Sequence, residues 1–159
     1  KIFYEKNRKF NVKNKVKIKI NNKVIHQSKL LNYFLNKTSL PRVEKETNDL
    51  LKKIKKNKKY SFSKKDIIII ESLKSDGVQI LKKYNRLYEY KLSIPSDINS
   101  MIVNGETGLV LLKIADIIGE DEIENLDLDS VSFIVGIMNE LKIINLRNEI
   151  LLEVLPLKV

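Results

Sequence analysis

Residues 95–156 read PSDINSMIVNGETGLVLLKIADIIGEDEIENLDLDSVSFIVGIMNELKIINLRNEILLEVLP, and this stretch decides the fold. Apolar residues recur in it at helical spacing, in runs of about two to four turns. Gly105 and Gly119 follow two of these runs, and Pro156 follows the last one. Short helices joined by tight turns are typical of packed helical hairpins. The stretch therefore predicts a mainly α-helical domain.

Three helices of this stretch are expected to supply most of the hydrophobic core. The first covers residues 106–118, the second begins at Asp129 or Ser130 and continues to Leu141, and the third covers residues 145–155. Apolar side chains repeat three and four residues apart in each of them, so that one face of the helix can be buried. In the first helix, the side chains expected to face inward are those of Leu109, Leu112, Ile114 and Ile117.

The residues before this stretch also carry signals for helix ends. Pro41 follows Ser39-Leu40 and suits the first turn of a helix, where its missing N–H costs nothing. Ser63 and Asp66 have the spacing of a capping box, with aspartate in place of the usual glutamate. Gly77 is suited to end the helix that begins there. Residues 78–92 fit a connector that contains one short helix.

The N-terminal residues show a different periodicity. Residues 15–20 alternate strictly between lysine and an apolar residue, which places Val16, Ile18 and Ile20 on one face of a strand. Asn21-Asn22 could form a two-residue turn, after which residues 23–25 would return as a second strand. We therefore expect a small N-terminal β-hairpin within a basic segment of residues 1–27, followed by a helical domain of residues 28–159.

The charge is divided unevenly along the chain. Residues 1–92 contain 26 lysines and arginines against 8 aspartates and glutamates, a net charge of +18, whereas residues 93–159 contain 4 against 12, a net charge of −8. Lysine, isoleucine and asparagine are abundant throughout, as in proteins of AT-rich genomes. The same bias acts on the acidic part, so the division itself is a property of this protein. It predicts a basic binding surface, or two parts that attract each other.

Several short motifs mark the chain from residue 61 onward. They are Phe62-Ser63-x-x-Asp66, Asp76-Gly77-Val78, Ile94-Pro95-x-x-Ile98, Gly105-Glu106-Thr107-Gly108, Ile118-Gly119-Glu120-Asp121, Leu126-Asp127-x-Asp129, Leu146-Arg147-Asn148-Glu149 and Leu155-Pro156-Leu157. In these motifs, residues 61–159 resemble the C-terminal helical region of a group of large alphaproteobacterial proteins of unknown function. The resemblance implies a bacterial protein of which this chain is the C-terminal part, and it implies no activity.

Catalytic and metal-binding chemistry has few candidates. The chain contains no cysteine, and a Ser-His-Asp triad would depend on His26, the only histidine, whose place after a predicted strand favours a structural role. The acidic residues between Asp116 and Asp129 lack the glycine that an EF-hand needs at its sixth position, which favours a solvated turn. Gly105-Glu106-Thr107-Gly108 lacks the ending of a phosphate-binding loop. We expect no catalytic residue, no metal and no cofactor.

The lysine-rich segment of residues 52–65 is the strongest candidate for binding. Lysine side chains attract phosphate groups without regard to base sequence, and exposed aromatic rings could stack on unpaired bases. The candidate polyanion contacts are Lys52, Lys53, Lys55, Lys56, Lys58, Lys59, Tyr60, Lys64 and Lys65. Tyr60 and Phe62 could equally pack as a hydrophobic staple on the helix that begins near Ser63.

The function expected from the sequence is that of a non-catalytic interaction or scaffolding module. Its partner would be another protein or an N-terminal portion of the same chain that precedes Lys1. The alternative is sequence-nonspecific binding of a polyanion such as a nucleic acid through residues 52–65. No run of apolar residues approaches the ~18 that a membrane-spanning helix needs, so we expect no membrane span. The cellular compartment is left open.

Overall fold

A computed structural model describes residues 22–57, 60–120 and 122–155. Within these ranges the chain forms seven α-helices: α1 (Asn22–Phe34), α2 (Leu40–Lys56), α3 (Lys64–Ser75), α4 (Ser96–Val103), α5 (Thr107–Ile118), α6 (Leu128–Glu140) and α7 (Ile144–Val154). Two short 3₁₀ helices, Lys82–Tyr84 and Ile123–Asn125, lie in the connections, and no strand occurs in the described ranges. The predicted mainly α-helical fold is confirmed.

The prediction of the second hairpin strand is wrong, because residues 23–25 belong to α1. The first strand, residues 15–20, lies outside the described residues. Three residues of alternation are too few to outweigh a helical face, and Gln27, Leu30 and Phe34 are buried along one side of α1. The helix also runs through residue 27, where the sequence analysis ended the N-terminal segment.

The ends of α2 and α3 follow the sequence signals. Pro41 lies in the first turn of α2, after the N-cap Ser39. Ser63 and Asp66 form a complete capping box at the start of α3, each side chain bonding the other residue's backbone N–H. Gly77, with φ +101°, follows α3, and its N–H donates to the Lys74 carbonyl at 3.0 Å, as in a Schellman motif. Local sequence alone is therefore sufficient to define these boundaries.

Helices that are neighbours in sequence pack as hairpins around a central pair. α1 packs on α2, α4 on α5 and α6 on α7, while α3 and α6 pack against each other at the centre. The core takes side chains from all seven helices, with Ile68, Ile69 and Leu73 of α3 facing Val131 and Ile134 of α6 within one cluster. The expectation that three C-terminal helices supply most of the core is wrong, because α2 and α3 contribute as heavily as α6 and α7.

A buried ion pair joins α3 to α7. The side chain of Arg147 is 0% exposed, and its two terminal nitrogens donate to the two carboxylate oxygens of Asp76 at 2.8 and 2.7 Å. The amide oxygens of Asn139 and Asn148 accept from the same guanidinium at 3.0 and 2.7 Å, and the Phe34 ring lies 5.6 Å from its centre. Because every side of the guanidinium is occupied by the protein, Arg147 has a structural role.

The segment between α3 and α4 crosses the molecule beside α6. Its Leu92 and Tyr90 approach Gly136 so closely that a Cβ atom at residue 136 would lie 2.7 Å from Leu92 Cδ1 and 2.8 Å from the Tyr90 hydroxyl. Such distances are shorter than packed carbon atoms allow. Gly136 is therefore required for the close approach of this segment, although glycine disfavours a helix interior.

Candidate functional site

The four candidate lysines of α2 lie on its solvent-facing side. Leu50, Leu51 and Ile54 fill the opposite side of the helix and are all buried in the two hydrophobic clusters. The exposed lysines are Lys52, Lys53, Lys55 and Lys56. Three of them occupy the last turn, where their positive charges interact favourably with the negative end of the helix dipole. This interaction is a structural explanation for their position.

The structure places further basic residues beside these lysines. The Asn48 side chain of α2 donates to the Gln79 carbonyl at 2.9 Å and accepts from the Leu81 N–H at 3.0 Å. These bonds hold the 3₁₀ helix Lys82–Tyr84 against α2, and the Lys55 ammonium donates to the Lys83 carbonyl at 3.4 Å. Lys82, Lys83 and Arg86 are thereby exposed next to α2. Reasoning from sequence missed them, although Lys82-Lys83-x-x-Arg86 was visible as a second short basic run.

The Tyr84 ring lies between a lysine of α2 and a lysine of the 3₁₀ helix Lys82–Tyr84. The Tyr84 side chain is buried against Leu51 and Ile70. The ammonium groups of Lys55 and Lys83 lie 5.9 and 5.0 Å from the centre of its ring, a distance typical of cation–π contacts. We define the basic surface as these two lysines with the other exposed basic residues of the end of α2 and of the adjoining connection, namely Lys52, Lys55, Lys56, Lys82, Lys83 and Arg86. Within the described residues, none of the six forms an ion pair with a carboxylate.

The remaining candidate contacts do not join this surface. Lys58 and Lys59 lie outside the described residues. Tyr60 is half-buried against the main core, and Phe62 packs on Tyr88 with ring centres 5.0 Å apart. Lys64 donates to the Asp129 carboxylate at 2.6 Å on the side of α6. Lys65, directly after it, is half-buried. The two aromatic rings therefore act as packing residues rather than as exposed stacking surfaces.

His26 is part of a polar pocket between α1 and α2. Its Nε2 accepts a hydrogen bond from the Lys53 ammonium, and burial together with that positive charge lowers the pKa of His26. The pocket, of about 360 Å³, is otherwise lined by charged side chains: Lys29, Arg42, Lys45, Glu46 and Asp49. No hydroxyl or thiol nucleophile lies among the lining residues, so the pocket does not assemble the parts of a nucleophilic site.

A second pocket, of about 390 Å³, lies under the segment between α3 and α4. The Tyr88 hydroxyl donates to Glu71 at 2.6 Å, and Lys74 pairs with the same carboxylate at 2.8 Å. Burial, and then the negative charge of Glu71, raises the pKa of Tyr88. The polar groups of this pocket thus satisfy one another, as expected of groups that anchor the segment.

The acidic turn before α6 is organised as a helix start. Asp127 is the N-cap of α6, and its carboxylate accepts from the backbone N–H groups of Asp129 and Ser130 at 2.7 and 3.0 Å. The hydrogen bonds from Ser130, followed by that from Asp129, lower the pKa of Asp127. Across the part of the chain that the structure describes, no group of three or more acidic or histidine side chains is arranged to hold a metal ion.

The prediction of the inward-facing side chains of α5 is largely wrong, because leucines lie on its exposed side. Of the four side chains predicted to face inward, only Ile114 is buried. Val110, which was not among the four, is buried as well. Leu109 is 49% exposed, Leu112 is 67% exposed, and Val103, at the end of α4, is 77% exposed. Ile117 is also exposed. Lys113 and Asp116, both exposed, mark the solvent side of α5, and Leu109 and Leu112 lie on the same side.

Two carboxylates and one ammonium group lie on or next to the exposed side of α5. Asp116 follows Leu112 by one helical turn, and Glu106 precedes the helix. Between residues 96 and 130, the exposed carboxylates of the described residues are those of Asp97, Glu106, Asp116, Glu120, Glu122, Glu124, Asp127 and Asp129. Lys113 is the only basic residue in that range. We define the acidic apolar surface as the apolar residues Val103, Leu109 and Leu112 together with the carboxylates of Glu106 and Asp116.

Comparison of this chain with models of protein families, with curated proteins and with solved structures finds no match. Among the helices in the described ranges, none combines the length and the apolar composition that a bilayer crossing requires. The candidate sites of the described residues are the basic surface of α2 and the acidic apolar surface of α5.

Proposed function

We propose that this chain is a non-catalytic interaction module that binds a protein segment on its acidic apolar surface. The observation that carries the proposal is the exposure of Leu109, Leu112 and Val103 on one helical hairpin. Apolar side chains that are clustered and exposed, with polar groups around them, are typical of docking sites. Truncation of such anchors removes a large share of binding energy.

The charge of this surface defines the chemistry of the partner. Because Asp116 lies one turn from Leu112 and Glu106 is the N-cap of α5, a partner that covers the leucines and carries positive charge avoids placing its own acids against these carboxylates. An amphipathic helix that presents leucine-like side chains on one face and lysines or arginines beside them meets both requirements. We infer that the partner is a basic amphipathic helix of another protein.

The non-catalytic part of the proposal is supported by what the buried polar groups do. Asp66 caps α3 and pairs with Lys23 at 2.8 Å, and Gln27 also donates to it. Arg147 and Asp76 are occupied by each other. These groups are fixed by structural partners, whereas a catalytic group must face a substrate.

A binding measurement with a defined peptide tests the proposal. The probe is a labelled synthetic amphipathic helix of about 18 residues, with leucines on one face and lysines on the other, followed by fluorescence anisotropy. We expect Leu109→Ser and Leu112→Ser each to weaken binding about tenfold, since each removes an anchor. Leu81→Ser is the matched control, because Leu81 is as exposed as Leu109, both 49%, but lies between α3 and the first 3₁₀ helix.

Each result is decisive. Loss of affinity in the α5 variants alone supports the proposal. Equal affinity of Leu109→Ser, Leu81→Ser and the unmodified chain would show that the peptide is held by charge alone and would contradict an apolar docking surface. Failure of the peptide to bind at all would contradict the inferred partner.

A further inference from the structure

The basic surface is a second binding site, independent of the acidic apolar surface. Its six cationic side chains come from α2 and from the connection after α3, and none of them has a carboxylate partner in the described residues. The other exposed lysines of those residues differ in this respect: Lys64 and Lys74 have acidic partners, whereas Lys37 and Lys113 form no ion pair. We propose that the basic surface binds the phosphate backbone of a nucleic acid without reading its base sequence.

The geometry around Tyr84 favours an anionic ligand with several charges. Lys55 and Lys83 direct their ammonium groups toward one ring, at 5.9 and 5.0 Å from its centre. Two like charges brought toward the same ring repel each other, and an anion between or beside them relieves that repulsion. Lys52 and Lys56 lie one turn apart on α2, and Lys82 and Arg86 extend the same charge along the connection. A ligand with phosphates in a row can contact this set, whereas a single phosphate cannot.

Residue types on this surface exclude base recognition as its main source of affinity. Five of the six cations are lysines, which act as point charges, and the one arginine provides a single bidentate group. No aromatic ring on this surface is free to stack on a base, because Tyr84 is buried beneath the lysines and Tyr60 is packed against the core. We therefore expect duplex DNA, with its higher charge density, to bind at least as tightly as single-stranded DNA.

A lipid headgroup surface is a less suitable ligand. The apolar residues in the lysine-rich half of α2, Leu50, Leu51 and Ile54, are all buried. An interfacial helix needs an apolar face that it can insert between lipids, and this half of α2 has none to offer.

The test is fluorescence anisotropy with a labelled 20-base-pair DNA duplex (about two helical turns) over a range of salt concentrations. The variant is Lys55→Gln/Lys83→Gln. We expect it to bind roughly tenfold more weakly at low salt and to lower the slope of log affinity against log salt by about 2, since each contacted phosphate contributes about 0.9.

A control with the same net charge separates a local site from general attraction. Lys37, beyond the end of α1, and Lys113, on α5, are both exposed. Neither forms an ion pair in the described part of the chain. Lys37→Gln/Lys113→Gln removes the same two charges from other places. This control is needed because residues 1–21 contain eight further lysines and arginines.

A larger loss of duplex affinity in Lys55→Gln/Lys83→Gln than in the control supports the proposal. Equal losses would assign the binding to net charge and overturn it, as would absence of duplex binding at low salt. Single-stranded DNA bound more than tenfold tighter than duplex would contradict the backbone-only recognition. Vesicles rich in phosphatidylserine complete the test: binding to them that depends on Lys55 and Lys83, without such dependence for duplex, would replace the nucleic acid by a membrane surface.

Discussion

Replacement of Arg147 by methionine is expected to destabilise the protein severely. The substitution retains most of the side-chain volume but leaves the Asp76 carboxylate, only 4% exposed, without its partner. Breaking a buried ion pair on one side costs about 3–5 kcal/mol, because the remaining charge stays desolvated. The oxygens of Asn139 and Asn148 lose a donor as well. This loss is a large fraction of the ~5–15 kcal/mol by which domains are stable.

Urea unfolding followed by circular dichroism measures this effect. With an m value of about 2 kcal/mol/M, the midpoint of Arg147→Met should fall by about 1.5–2.5 M. Adding Asp76→Asn to Arg147→Met removes the stranded charge, so the double variant should be more stable than Arg147→Met by at least about 1 kcal/mol. An exposed ion pair is the control, and Lys64→Gln, which breaks the pair with Asp129, should cost less than about 1 kcal/mol.

Two results would refute this reasoning. One is a loss of less than about 1 kcal/mol in Arg147→Met at unchanged m, which would show that water or other groups solvate Asp76. The other is a double variant no more stable than Arg147→Met, which would assign the cost to lost packing against Phe34 rather than to the stranded carboxylate.

Further substitutions test three local features. Asp66→Asn should cost about 2–4 kcal/mol near pH 7. Burial alone would raise the pKa of Asp66, but its hydrogen bonds outweigh burial and lower that pKa. The stability that the Asp66 carboxylate provides is therefore present above its unfolded-state pKa and is lost as the pH falls through the lower folded-state pKa. The urea midpoint of Asp66→Asn should lack this pH dependence. Gly77→Ala should cost about 1 kcal/mol because of its positive φ, whereas Gly108→Ala, in a helix with open space around it, should gain about 0.5–1 kcal/mol in thermal unfolding. Gly136→Ala should cost about 1–3 kcal/mol by urea unfolding, and less in a Leu92→Ala background, where the clashing atoms are absent.

Opposite outcomes would identify which argument is at fault. An Asp66→Asn variant with the acid dependence of the unmodified chain would show that another group titrates in that range. Equal effects of alanine at residues 77 and 108 would contradict a backbone origin for the difference. A cost of Gly136→Ala that is the same with and without Leu92 would show that the connecting segment moves aside.

The local boundaries of the fold could be predicted from the sequence because their causes are local. The capping box of Ser63 and Asp66, the first-turn proline of α2 and the stop at Gly77 each depend on residues within one turn. Hydrogen bonds over three or four residues do not require knowledge of distant parts of the chain. The hairpin prediction was wrong in its second strand for the converse reason, since Lys23 and Gln27 of α1 reach Asp66, about forty residues away.

The two surfaces were predictable only in part. The sequence identified the lysines of α2 but also assigned Tyr60 and Lys64 to the same site, whereas the structure directs one into the core and pairs the other with Asp129. Lys83 joins the site because the chain returns to α2 after α3. The outward position of Leu112 was not predicted: Lys113 and Asp116 mark the solvent side of α5, but which leucines share that side depends on how the helix packs.

By itself, the sequence determined the helical class, most helix ends and the division of charge, all of which follow from residue types at short spacing. The tertiary structure decided which charges are paired, which aromatic rings are covered and which face of α5 meets solvent. These properties depend on contacts between residues far apart in the chain, such as Asp76 with Arg147 and Lys64 with Asp129. Because such contacts arise only when the helices have packed, the positions of the two proposed binding surfaces are properties of the folded protein.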